Sequence, residues 1–252
     1  MMAGEGAQPK QLVKFLIMFT RGGGSTWVQA LLNKQPGFRC IRETVLTSGF
    51  FESFDRTPEH VEKGVFFEGY KNKVKHVPEW AQKEIIARKG KGIRMVFLYR
   101  RDIVRNAVGN WRKGKLEARE ISRGKLRAGM GNAYDESHVP PAFPVPLEEL
   151  KKELDYLRDN NKALVEFRDR LVKEGVEVLD IYYEDMLEDV EKVMKQVFTW
   201  ITGSIEGYRE KEQKGDVPVP VKNTSNNLRD HVVNYEEVRD FVTNNTEYTW
   251  IE

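Results

Sequence analysis

The sequence predicts an α/β fold of three layers, with a central, mainly parallel sheet flanked by helices. Three apolar runs carry the prediction. Residues 12–19 are a nearly unbroken hydrophobic stretch, the pattern of a strand covered on both faces, and 93–99 and 176–182 are two further strong strand candidates. Segments with apolar residues at helical spacing lie between and after them, and strands alternating with helices pair in parallel through crossovers.

The first run turns through Gly22, Gly23 and Gly24 into a segment with Val28, Leu31 and Leu32 on one face. Glycines there allow a tight turn and close approach to a bound group, and Ser25 or Thr26 is suited to N-cap the helix. Backbone N–H groups and the helix dipole then favour an anion such as phosphate or sulfate. A Walker loop reads GxxxxGK[ST]; no lysine precedes Ser25, so ordinary ATP or GTP hydrolysis is poorly supported. The bland alternative is a glycine-rich turn that holds nothing.

Residues 38–41 form a short second strand, with Arg42, Glu43 and Thr44 at its C-terminal end, where open parallel sheets place ligand contacts. Glu43 either faces the ligand of the glycine loop or is a solvated carboxylate. The aromatic stretch 46–54 suits an acceptor pocket or the core, and core is the favoured reading. Residues 65–70 are a third strand running into Lys71, Lys73, Lys75 and His76. A helix over 79–88 follows, with Pro78 at its start and Gly90 after its end.

The run 93–99 delivers Arg100, Arg101 and Asp102 into a helix that buries Val104, Ala107, Val108 and Trp111. Two arginines at a strand end suit phosphate oxygens, because the guanidinium fork matches them; pairing with Asp102 or Glu117 is the alternative. Residues 113–146, charged and glycine-punctuated and then proline-rich, are expected to form a long excursion, a lid or acceptor-side segment. Leucines from Leu147 to Leu171 mark a long amphipathic helix ending at Gly175, whose apolar row is expected in the core. Val190 to Ile201 outline another helix, stopped by Gly203. A polar stretch leads to a last helix near 236–243.

The chain has 252 residues, enough for a sizeable core, and is expected to form a single domain over 1–252, with residues 1–10 as a flexible N-terminus. Lys+Arg of 41 against Asp+Glu of 39 leaves +2, so no global basic field points to nucleic acid. Cys40, the sole cysteine, excludes an internal disulfide and a cysteine-rich zinc site. No signal peptide and no run of about 20 apolar residues is evident, so a soluble, cytoplasmic protein without membrane contact is expected.

Taken in order, four segments resemble the sulfotransferases that use 3'-phosphoadenosine 5'-phosphosulfate (PAPS), especially their bacterial carbohydrate-type branch. Gly24-Ser25-Thr26-Trp27 matches the end of that family's 5'-phosphosulfate loop. Arg101 matches its 3'-phosphate arginine. Tyr183-Glu184-Asp185-Met186-Leu187 and the segment from Lys222 through Ser225 to Arg229 match two later motifs. The resemblance implies a P-loop-like fold and transfer of a sulfuryl group to a hydroxyl or amine of a small-molecule or carbohydrate acceptor.

By the same resemblance, Arg21, Gly22, Gly23, Gly24, Ser25 and Thr26 hold the 5'-phosphosulfate. Trp27 stacks on adenine, Arg101 binds the 3'-phosphate, and Lys222, Ser225 and Arg229 form the C-terminal phosphate-side loop. The chain departs from the family twice. Arg21 is set back by an extra glycine from the usual position of the basic residue, and Gly109 stands where the family has a serine. The implied proton acceptor is Glu43 or His76, with position favouring Glu43, and Lys71 lies near the sulfuryl group. By analogy with phosphoryl transfer, in-line placement and charge stabilisation do most of the work, and no metal is expected. Two other classes stay open: a P-loop-like nucleotide kinase or phosphatase, and a non-catalytic nucleotide or sulfated-glycan binding protein. The oligomeric state is not written in the sequence, and a homodimer is one option.

Overall fold

The computed structural model describes residues 13–41, 43, 51, 66–89, 93–122, 142–209, 227–245, 247 and 248. The chain divides into two compact units: residues 1–99 with 160–217, and residues 100–159 with 218–252.

The first unit is built on a five-stranded parallel sheet. Its strands are β1 (Val13–Phe19), β2 (Phe38–Ile41), β3 (Phe67–Lys73), β4 (Ile93–Tyr99) and β5 (Val178–Tyr182), in the order β2-β3-β1-β4-β5. The runs that form β1 and β4 are strands because both faces are covered. In β1, Phe15, Ile17 and Phe19 enter one core, where Trp27, Val28 and Leu32 of α1 (Ser25–Leu32) lie. Leu16 and Met18 enter the opposite core, with Ala81 and Ile85 of α2 (Glu79–Ala87).

That division follows from handedness. The chain winds from β1 toward β2 on one side and from β3 across β1 to β4 on the other, so right-handed crossovers put α1 and α2 on opposite faces. The winding reverses at β1, and the gap beyond the C-terminal ends of its strands is where such sheets bind ligands. Gly69 serves this packing directly: a Cβ there would lie 2.0 Å from the ring of Phe15, its register partner on β1.

β3 differs from its expectation. It runs to Lys73, because pairing with β1 continues through Ile17↔Lys71 to Phe19↔Lys73. Lys71 and Lys73 are therefore strand residues, and a 3-10 turn, Val74–His76, follows at once. After β5 come α5 (Tyr183–Glu188) and α6 (Val190–Thr202). Asp189 caps α6 by accepting from the N–H of Lys192, and Gly203 ends it at φ 82°.

The second unit packs helices. Ile103, Val104, Ala107 and Val108 of α3 (Ile103–Ser122) meet Leu150, Leu154 and Leu157 of α4 (Leu147–Lys173), together with Val238 and Val242 of α7 (Tyr235–Asn244). The leucine row of α4 is thus core along its length, since Leu164 and Leu171 are buried in the first unit. α3 corrects the expected excursion from residue 113: the helix continues through Gly114 to Ser122. A single glycine costs a helix only about 1 kcal/mol, and the neighbouring Trp111 and Lys115 both bond to Glu149. No helix among the described residues is long and apolar enough to cross a membrane.

Candidate functional site

The glycine loop leaves β1 at Thr20 and enters α1 at Ser25. Gly22 and Gly24 have φ of 74° and 87°, a left-handed conformation that side chains rarely adopt. Gly24, rather than Ser25 or Thr26, is the N-cap, and no side chain caps the helix. The left-handed turn at Gly24 brings its carbonyl over the first turn, where it accepts from the N–H groups of Trp27 and Val28 at 2.9 and 3.2 Å. The N–H groups of Ser25 and Thr26 precede the first intrahelical bonds and are the donors such a helix start offers to an anion. Gly24 is also short of space, since a Cβ on it would stand 2.5 Å from the ring of Tyr183. A Cβ on Gly23 would stand 3.1 Å from the carbonyl oxygen of Thr20.

A cation reaches this loop from the neighbouring strand. Lys71 is 7% exposed, and its Nζ donates to Thr26 Oγ1 at 2.8 Å. Its ammonium also lies 5.8 Å from the centre of the Phe19 ring. A buried ammonium beside the first turn of α1 supplies the positive charge that a Walker lysine would bring from within the loop. Arg21 is exposed.

The same edge of the first unit carries both candidate proton acceptors. Glu43, just beyond β2, sets Oε1 3.2 Å from His76 Nδ1 and 3.0 Å from Lys73 Nζ. Sequence order separates these residues, but the β2-β3 pairing, Ile41↔Tyr70, brings the ends of both strands together. Lys73 was visible only as one member of a basic cluster; alternation along β3 gives it the same face as Lys71. Cys40, at the end of β2, is buried, and desolvation pushes its thiol up to about 12, opposed by the charge of Lys71.

Trp27 is 7% exposed and built into the core, with its ring 6.3 Å from that of Tyr183 in an edge arrangement. Phe51, from the aromatic stretch, is buried in the opposite core. In the second unit, Arg101 is exposed at the start of α3. Asp102 bonds to the N–H of Arg105 at 2.7 Å and to its guanidinium at 3.2 Å, so it is engaged with the helix start and Arg105. Gly109 lies within α3, with open space where a Cβ would stand. Arg229 is exposed and donates to Glu236 at 2.7 Å. Lys222 and Ser225 lie outside the described residues, as do Arg42 and Thr44.

No family model and no curated protein sequence matches the chain. Solved structures do. The mouse sulfotransferase SULT7A1 complexed with PAP aligns at 12% identity and a TM-score of 0.50, over 96% of this chain and 87% of that one. A sulfotransferase from Alicyclobacillus acidocaldarius aligns at 12% identity and a TM-score of 0.45, over 93% of each chain. The likeness to the mouse structure is one of fold: this chain has the α/β, P-loop-like architecture with a central parallel sheet.

Proposed function

We propose that this protein transfers a sulfuryl group from PAPS to a hydroxyl, or an amine, of a small-molecule or carbohydrate acceptor. The observation that carries the reading is the contact between Lys71 Nζ and Thr26 Oγ1, 2.8 Å long, at the start of a helix entered through left-handed glycines. It joins a buried cation to a set of backbone donors, the combination that stabilises charge on a transferring group and its leaving phosphate. The fold shared with a sulfotransferase complexed with PAP supports the choice of donor nucleotide.

In this reading the N–H groups of the glycine loop, Ser25, Thr26 and Lys71 hold the 5'-phosphosulfate, and Arg21, exposed on the same loop, adds its charge. Arg101 keeps the role that its motif implies, on the 3'-phosphate, and Lys222, Ser225 and Arg229 that of the phosphate-side loop. The acceptor loses its proton to the Glu43–His76 pair, within whose reach a hydroxyl would lie. No step calls on a metal, a nucleic acid or a membrane, and a cytoplasmic site of action suits a soluble nucleotide donor.

A panel of hydroxylated small molecules and sugars, incubated with PAPS carrying labelled sulfate, tests the reading. Label passing to an acceptor supports it. Binding of PAPS without transfer to any of them, or to water, favours the non-catalytic alternative.

A further inference from the structure

We propose that Glu43 is a positioning residue, held by Lys73, that fixes the tautomer of His76 so that Nε2 receives the acceptor's proton. The catalytic meaning of this rests on the sulfuryl-transfer reading; the geometry does not. One carboxylate oxygen, Oε1 of Glu43, is 3.2 Å from His76 Nδ1 and 3.0 Å from Lys73 Nζ. The three side chains come from the C-terminal ends of two neighbouring strands: the second residue after β2, the last residue of β3, and the 3-10 turn that follows it.

A neutral imidazole carries one N–H and one lone pair, and its partner decides which nitrogen holds which. An ionised carboxylate accepts only, so the nitrogen facing it must be the donor. Nδ1 therefore carries the hydrogen and Nε2 the lone pair. Lys73 supports the arrangement. With its side chain 25% exposed and that of Glu43 32% exposed, its ammonium meets the same oxygen that faces the ring, which favours this orientation of the carboxylate. The imidazole itself is 38% exposed, which leaves the ring accessible to an acceptor.

These facts divide the labour between the two groups. Oε1 of Glu43 is already engaged by Lys73 and by the ring, which leaves the Nε2 lone pair of His76 to take the proton. In the transfer step, the acceptor's oxygen forms the new bond to sulfur and its proton passes to Nε2. The bond between sulfur and the bridging phosphate oxygen breaks, and its electron pair leaves on the phosphate. The imidazolium so formed faces Glu43, which takes no proton. Position along the chain points to Glu43 as base; the pairing assigns it to orientation instead, and a carboxylate that orients an imidazole acts through it.

The tautomer can be read without nucleotide or acceptor. Long-range proton–nitrogen correlation spectra of the 15N-labelled full chain resolve its four histidines, with His76→Gln assigning the signal. Neutral His76 is expected as the Nδ1–H form in the unaltered protein. Glu43→Ala should move it to the Nε2–H form, and Lys73→Met should give a mixture. An Nε2–H ring in the unaltered protein, or a ring indifferent to Glu43→Ala, would overturn the proposal while leaving PAP binding, and so the wider reading, untouched.

A kinetic arm adds the role. Once an acceptor turns over, Glu43→Ala should lower kcat about tenfold to a hundredfold with KM for PAPS unchanged. Glu43→Ala in a His76→Ala background should cost little more, since one group acts through the other. Independent, multiplying losses would overturn the assignment.

Discussion

Lys71 reaches Thr26 across a strand boundary: its Nζ lies 2.8 Å from Thr26 Oγ1, although the two residues are far apart in sequence. The glycine loop contains no lysine, and β3 delivers one to it. Lys71→Met should therefore weaken binding of 3'-phosphoadenosine 5'-phosphate (PAP) by about tenfold or more, the effect of losing a charged hydrogen bond worth roughly 1.5 to 3 kcal/mol. Thr26→Ala should be milder, since it removes one hydroxyl. Titration calorimetry on both variants checks the order.

Gly24 carries two constraints at once, a φ of 87° and the ring of Tyr183 where a Cβ would stand. Gly24→Val should abolish PAP binding and also lower the unfolding midpoint, because the strained backbone and the displaced ring together cost on the order of 1 to 3 kcal/mol. Gly23→Val is the cleaner probe. Gly23 is not one of the left-handed glycines, and an added Cβ would press on the carbonyl of Thr20 at 3.1 Å, so the variant should impair nucleotide binding with a smaller loss of stability. Binding and thermal unfolding measured on both separate the two effects.

Gly109 offers the reverse case, with nothing within reach of an added Cβ. Gly109→Ala and Gly109→Ser should both stabilise α3, by about 0.5 to 1 kcal/mol for alanine and less for serine. If the hydroxyl has the role that the resemblance implies, serine alone tightens PAP. Equal affinities in the two variants would deny it.

Cys40 makes stability depend on pH in a known direction. Its thiol is raised from 9.0 to about 12 by burial, so folding favours the protonated form. That contribution is complete below pH 9 and is lost as the pH rises toward 12. Denaturant midpoints should fall between pH 9 and 11 more steeply in the unaltered protein than in Cys40→Ala. Iodoacetamide should label Cys40 only after unfolding.

The fold was legible where burial imposes a pattern. The runs ending at Phe19 and Tyr99 are strands buried on both faces, the run ending at Tyr182 is an edge strand with Ile181 buried, and Gly203 ends α6 in the left-handed conformation that glycine permits. Local composition misled at Lys71 and Lys73. Their charges suggest a loop, yet pairing with β1 holds both in β3 and buries the stem of Lys71. It misled again beyond Lys113, where Glu149 on α4 engages Trp111 and Lys115 of a helix that continues past Gly114. The meeting of Glu43 with His76 could not be read from the chain, because it depends on β2 lying beside β3, and strand order is not written in periodicity.

The central claim, a site for a nucleotide bearing both a 5'-phosphosulfate and a 3'-phosphate, is tested most directly by calorimetric titration with PAP and with AMP. If Arg101 holds the 3'-phosphate, as proposed, it adds a charged contact that AMP lacks, and PAP should bind at least roughly tenfold more tightly. Arg101→Ala should erase most of that difference while changing AMP little. Equal affinities for PAP and AMP in the unaltered protein would contradict the account.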